Sequence, residues 1–245
     1  MTNSLAHPQA VRILLANAKG GCGKTTVCTN LAAYYASQGV CVSLMDYDPQ
    51  GSSSQWLKAR QAKLATIHGV DAFRQHERLT RSWQLHALPQ NTEFILIDSP
   101  AGLSSSQLED LLRMADIVLI PITPSAIDIR ATTHFIRQVM LSSALKTGQI
   151  RAAALANRVK RNTLIYTKLE LFLKTLRIPF VTSLRDAQSF IKAAESGCGV
   201  MELHELHEED QKSWIQLIQW LDQQAERVLL QRKQGHEPKT SKIAG

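Results

Sequence analysis

The chain has 245 residues, 44% hydrophobic and 20% charged, which suits one α/β domain with a sizeable core and requires no second domain. Its formal charge of +7 favours an anionic partner. No run approaches the roughly 18–20 apolar residues that span a bilayer, and Met1 to Ala10 is too polar for a secretory signal, so a cytoplasmic protein is expected.

The first apolar run, residues 11–16, reads as a strand and leads into Lys19-Gly20-Gly21-Cys22-Gly23-Lys24-Thr25-Thr26, after which residues 24–37 read as a helix. A strand beginning near Val11 leaves no room ahead of it for a helix-turn-helix, so sequence-specific operator binding is not expected. The glycines let successive backbone N–H groups face phosphate oxygens at a helix N-terminus. Lys24 would sit over the β and γ phosphates, and Thr25 would offer its hydroxyl to Mg²⁺. The usual phosphate loop begins with glycine four residues before Gly23, where this chain has Lys19. Lys24 already serves the bound nucleotide, so Lys19 is a candidate to reach a different one. The four cysteines, Cys22, Cys28, Cys41 and Cys198, lack C-x-x-C spacing and read as small, mostly buried residues rather than a zinc site or disulfide framework. Cys22 is placed in the loop, where oxidation could reach it.

Further strands are expected at residues 40–45, 94–97, 117–120, 150–156 and 180–181, alternating with helical segments. This is the pattern of a mostly parallel twisted sheet with helices on both faces, whose ligands bind outside the carboxyl ends of the strands. Polar motifs follow several runs: Asp46-Tyr47-Asp48-Pro49-Gln50-Gly51, Asp98-Ser99-Pro100-Ala101-Gly102, and Asn157-Arg158. Asp98, at a strand end beside a phosphate loop, fits the Walker B role of ordering the water around Mg²⁺. Residues 57–88 have no clean period and read as helices with a short strand. The prolines of Pro121-Ile122-Thr123-Pro124-Ser125 are expected to fix a loop and start a helix near Ser125. Residues 211–232 place Trp214, Leu217, Ile218, Leu221, Ala225, Val228 and Leu229 on one helical face, read as docked on the sheet in preference to a membrane anchor. Residues 1–233 form the single domain and 234–245 a polar tail expected to be disordered. The acidic stretch 202–210 reads as a solvated turn, with a partner site as the alternative.

The basic excess is concentrated: residues 130–192 hold twelve Lys or Arg against two acids, Glu170 and Asp186. Lys160, Arg161, Lys168, Lys174, Arg177, Arg185 and Lys192 are candidates for phosphate contacts to a polyanion.

A loop with lysines at both ends, followed by Asp-x-Asp-Pro-Gln-Gly, resembles the ParA and MinD family of deviant Walker P-loop ATPases over residues 11–200. The resemblance implies ATP and Mg²⁺ as cofactors, a nucleotide held by Gly20, Gly21, Cys22, Gly23, Lys24, Thr25 and Thr26, and slow hydrolysis stimulated by a partner. It implies that Lys19 acts in trans across an ATP-dependent homodimer. By the same resemblance Asp48 positions the attacking water, Asp46 helps Thr25 and Asp98 hold the magnesium sphere, Gly102 senses the γ-phosphate, and Asn157 with Arg158 contacts adenine. In the partition branch the dimer binds double-stranded DNA without sequence preference and distributes a plasmid, a chromosome region or a carboxysome through a ParB-like adaptor, which implies nucleoid association. The alternative within the family is a MinD-like, membrane-cycling regulator of division-site placement. A metabolic ligase of the same fold is a third reading. An iron–sulfur reductase is not expected, since serines stand after Asp98 where cysteine ligands would be needed.

Overall fold

The computed structural model describes residues 7, 9–75, 87–160, 162–175, 178–203 and 206–236. Its seven strands are β1 (Val11–Leu15), β2 (Val42–Asp46), β3 (His68–Val70), β4 (Phe94–Asp98), β5 (Ile117–Ile122), β6 (Arg151–Val159) and β7 (Phe180–Arg185). They form one sheet in the order β3-β2-β4-β1-β5-β6-β7, and every pair is parallel. Every residue of β1, β2 and β5 is buried, as required of strands covered on both faces.

The covering helices are α1 (Lys24–Ser37), α2 (Ser52–Ala59), α3 (Ser105–Met114), α4 (Ala126–Leu141), α5 (Ser143–Lys146), α6 (Leu164–Thr175), α7 (Gln188–Glu195) and α8 (Glu208–His236). On one face α1, Trp56 of α2 and the Trp214–Val228 stripe of α8 pack against the odd-numbered positions of β1, such as Ile13. On the other, Leu108 and Leu112 of α3, Phe135 of α4 and Leu169 of α6 pack against Leu14, Val118 and Ala154. The strand period of two thus divides the core between two helix layers. The start of α3 is set locally, by a capping box in which the Ser104 hydroxyl accepts from Gln107 N–H and the Gln107 side chain accepts from Ser104 N–H.

Two boundaries differ from expectation for identifiable reasons. Pro121 lies inside β5, an inner strand, rather than in the following loop. The edge of β5 that receives Ala16 N–H at the Leu119 carbonyl faces, two residues later, past the end of β1. Pro121 needs no N–H there, and its carbonyl accepts from the Asn17 side-chain amide at 2.8 Å. β6 also runs on to Val159, so Asn157 and Arg158 lie within a strand instead of closing it. Between residues 57 and 88 the short expected strand is β3, at the sheet edge, while residues 76–86 lie outside the described set.

The last helix is docked. Trp214, Leu217, Ile218, Leu221, Ala225 and Val228 are buried, Tyr35 donates to Asp222 at 2.9 Å, and Arg232 donates to Asp116 at 2.6 Å. Withdrawing that stripe from the sheet would forfeit on the order of 10 kcal/mol of apolar burial before any compensating contact. Among the described residues no helix is long and apolar enough to cross a membrane. The stretch 202–210 is not a solvated turn at its ends: Glu202 is buried against Arg60, and Asp210 is buried against Arg185.

Candidate nucleotide site

The loop between β1 and α1 is anchored by Asn17, which is fully buried and which sequence reasoning passed over. Besides Pro121 its amide donates to Thr132 of α4 at 3.2 Å, and its carbonyl oxygen accepts from Lys19 N–H. The only sequence signal was an amide set directly after an apolar strand. Gly23, the N-cap of α1, has φ of 92°, and a Cβ there would come within 1.9 Å of the Asn157 amide nitrogen. Both the left-handed conformation and this close approach require glycine. α1 begins without a side-chain cap or an acidic residue in its first turn, so its N-terminal N–H groups and dipole face the adjoining cleft.

That cleft, about 580 Å³, is lined by Gly20, Gly21, Gly23, Lys24, Thr25, Thr26, Asp48, Asn157, Arg158 and Arg185, with apolar walls from Phe190 and Ile191 of α7. Lys24 is buried and its ammonium donates to the Lys19 carbonyl at 3.3 Å, so the cation is drawn across the loop. Lys19 instead lines a neighbouring cleft with Thr123, Pro124, Arg158, Lys160 and Thr163. Cys22 does not line the opening: it is buried, with its thiol donating to the Lys19 carbonyl at 3.2 Å, which shields it from the expected oxidation.

Three carboxylates meet at the strand ends. Asp46, buried, accepts from Asp48 N–H at 3.0 Å and from Ser54 N–H at 2.9 Å, so the first turn of α2 holds it. Asp48 is half-buried at the cleft wall, and its own carboxylate accepts from Gln50 N–H at 3.0 Å. Asp98 is fully buried, and neither of its oxygens makes a hydrogen bond of ordinary geometry. Burial, with the nearby Asp46 charge, pushes its pKa up to about 7, partly offset by the Thr25 and Ser53 hydroxyls and the Lys24 ammonium. An orphaned buried carboxylate beside a threonine hydroxyl fits a hydrated Mg²⁺, which keeps several waters and relies on phosphate oxygens. Among the described residues no group of three or more His, Cys, Asp or Glu is placed to hold a metal ion.

The segment after β4 is tied to the loop by Gly102 N–H, which donates to the Ala18 carbonyl at 3.0 Å. Asn157 is buried, and its amide nitrogen donates to the Cys22 carbonyl at 2.9 Å, so at least half of that amide braces the loop. Arg158 is exposed, with φ of 54° and its guanidinium 3.6 Å from Asp186. Of the basic candidates, Lys160, Lys168, Lys174 and Lys192 are exposed. Arg185 is committed to a two-pronged pair with Asp210, at 2.7 and 2.8 Å, which raises its pKa. Arg161 and Arg177 lie outside the described residues.

Residues 13–200 match the family model for the CobQ/CobB/MinD/ParA nucleotide binding domain. The maintenance of carboxysome distribution protein A of Halothiobacillus neapolitanus is 31% identical over 205 residues, spanning 81% of this chain and 90% of that protein. The chromosome-partitioning ATPase Soj of Thermus thermophilus is 33% identical over 135 residues, 45% of this chain and 54% of that one. The septum site-determining protein MinD of Pyrococcus horikoshii, solved with Mg-ADP, superposes with a TM-score of 0.68 at 19% identity over 87% of this chain and 96% of its own.

Proposed function

We propose, since the chain belongs to the CobQ/CobB/MinD/ParA nucleotide-binding domain family, that it is an ATP hydrolase whose ATP-bound homodimer grips DNA and positions a cargo in the cytoplasm. The observation that carries this reading is the division of labour between the two loop lysines. Lys24 is drawn into the cleft that holds Thr25 and Asp48, while Lys19 lines a separate cleft where a second protomer's nucleotide could be reached.

In this reading the loop N–H groups and Lys24 bind the β and γ phosphates, while Thr25, Asp46 and Asp98 hold Mg²⁺, which neutralises charge on the phosphate oxygens. Asp48, at the cleft wall, positions the attacking water, and Lys19 of one protomer stabilises charge on the nucleotide of the other. The exposed Lys160, Lys168, Lys174 and Lys192 bind phosphodiesters without reading bases, which would associate the dimer with the nucleoid. A cargo-bound adaptor, ParB-like in role, stimulates hydrolysis and release. The likeness to a carboxysome distribution protein supports a protein organelle as cargo alongside a plasmid or chromosome region.

The test is fluorescence anisotropy of unrelated labelled duplexes with the protein in ATP, ADP and no nucleotide, at two salt concentrations. ATP should raise DNA affinity at least several-fold, with steep salt dependence, because hydrolysis can release DNA only if DNA prefers the ATP-bound state. Equal affinity in ADP and ATP would overturn the reading. Absence of DNA binding in every state, with ATP bound, would favour the membrane-cycling reading, whose assay is sedimentation with anionic liposomes. The burial of the α8 apolar stripe already weighs against it.

Two substitutions separate the roles. Lys19→Ala should bind nucleotide yet stay monomeric in ATP; loss of ATP binding itself would refute the trans assignment. Asp48→Ala should dimerise in ATP and remain on DNA while turnover falls about 100-fold or more; size-exclusion chromatography and phosphate release give both readouts. A variant that is monomeric in ATP would contradict this role for Asp48.

A further inference from the structure

We propose that Arg158 is a second trans-acting cation beside Lys19, and that Asp186 is the internal anion it leaves to reach the partner protomer's nucleotide, a role that rests on the ATP-bound homodimer proposed above. The register of β6 places it. Ala156 pairs with Ser183 and Val159 with Arg185, so Asn157 and Arg158 together stand opposite the single residue Leu184. This is a bulge, which is rare between parallel strands. The extra residue shifts the strand period by one position. Ala152, Ala154 and Ala156 face the core layer that holds Phe135, and the next residue to face it is Val159, not Arg158. Without the bulge, side chain 158 would enter that core. With it, Arg158 stands exposed, at φ of 54°, while Asn157 stays buried beneath the phosphate loop. A non-glycine residue rarely holds that left-handed conformation, and such strain gathers at functional sites.

The bulge puts Arg158 on the ridge between two clefts, since it lines both the nucleotide cleft and the cleft of Lys19. Asp186 lines both as well. Its backbone N–H donates to the Val159 carbonyl at 3.0 Å, which fixes its main chain beside the bulge. Its carboxylate lies 3.6 Å from the Arg158 guanidinium and 3.9 Å from the Lys160 ammonium, and 36% of its side chain is exposed. Among the described residues Arg158 has no other ion pair. At 3.6 Å this pair is not a hydrogen-bonded fork, and an exposed pair of that kind is weak. A guanidinium gains more from phosphate oxygens, which its paired N–H groups match. Only side chains need turn for Arg158 to pass from Asp186 to a phosphate that enters the Lys19 cleft from the second protomer.

The test is dimerisation, followed by sedimentation velocity over a range of protein concentrations with Mg²⁺ and a saturating non-hydrolysable ATP analogue. Arg158→Gln should weaken the dimer about tenfold or more, and Arg158→Lys, which keeps the charge but not the fork, should weaken it less. Asp186→Asn should strengthen the dimer about threefold, because the competing anion is gone. The opposite signs identify the exchange. A pair that merely supported the fold would be broken by either substitution, and both variants would weaken the dimer. General repulsion between protomers of net charge +7 would give the reverse pattern, with Arg158→Gln tighter and Asp186→Asn looser. Either result would overturn the role of Arg158. Both side chains are exposed, and each variant tests the sign by itself if the other fails to fold. Wild-type protein that stays monomeric in the analogue would overturn both the homodimer and this role. A wild-type dimer indifferent to the two substitutions would leave the homodimer standing and strike only the role of Arg158.

Discussion

Asp98→Asn is expected to stabilise the nucleotide-free protein at pH 8 by about 2 kcal/mol or more, and to do almost nothing at pH 4. The folded carboxyl has its pKa pushed from 3.8 up to about 7, chiefly by burial. Since the folded pKa lies above the unfolded one, the unfolded chain releases this proton first as pH rises. Stability therefore falls between about pH 4 and pH 7, and the full penalty, of order 4 kcal/mol, is present above pH 7. Asparagine cannot ionise and escapes that penalty, less whatever its own buried amide leaves unpaired. In the proposed reading, where Asp98 helps to hold Mg²⁺, the same substitution should also remove most of the extra stabilisation that Mg²⁺ adds to bound nucleotide. Urea unfolding of both proteins from pH 4 to 8.5, with and without Mg-ADP, gives the comparison. Parallel pH profiles for the two proteins would show that Asp98 is not held in the high-pKa state.

A second large effect is expected far from the phosphates. Arg60 forks onto Glu202, at 2.6 and 2.9 Å, with both side chains only 6% exposed. Its other donors go to the Gly197 carbonyl at 3.1 Å and the Ala65 carbonyl at 2.9 Å, and its guanidinium lies 5.4 Å from the Trp56 ring centre. Gly197 has φ of 63°, and a Cβ there would stand 2.3 Å from Arg60 N, so the two segments touch backbone to backbone. Arg60→Ala would strand a buried carboxylate and should cost about 3–5 kcal/mol, lowering the melting temperature by roughly 10 °C. The Arg60→Ala/Glu202→Gln pair should recover part of that loss, since the uncompensated charge is gone. A single-variant loss below about 1 kcal/mol would show the pair to be dispensable. The clamp joins α2, whose Ser54 N–H holds Asp46, to the turn after α7, whose Phe190 and Ile191 wall the cleft. Its loss should therefore also weaken nucleotide binding.

Much of this site was legible in one dimension. Lys19, the glycines, Lys24 and Thr25 are contiguous, so a strand, a loop and a helix N-terminus could be placed by local rules. Asp46 and Asp48 directly follow one apolar strand and Asp98 another, and a parallel sheet brings such strand ends together without further information. Asn157 was legible as a residue of the site, yet not in its posture beneath Gly23, because the amide's partner is 135 residues away. Arg185 read as a surface cation; only the arrival of α8 beside β7 gives it Asp210. The acidic stretch 202–210 read as solvated for the same reason, since charge alone does not reveal an arginine waiting in another segment.

By itself, then, the sequence determined the parallel α/β sheet, the phosphate loop with a lysine at each end, and the order in which acidic motifs reach the cleft. These depend on period, glycine content and adjacency, which act over a few residues. The tertiary structure alone decided that Asn17 completes β5 past Pro121, that Asp98 is fully buried beside Asp46, that Arg60 and Glu202 are sealed together, and that Arg232 reaches Asp116. Each is a question of which charges and donors lose water together, and that is settled by contacts between elements far apart in the chain.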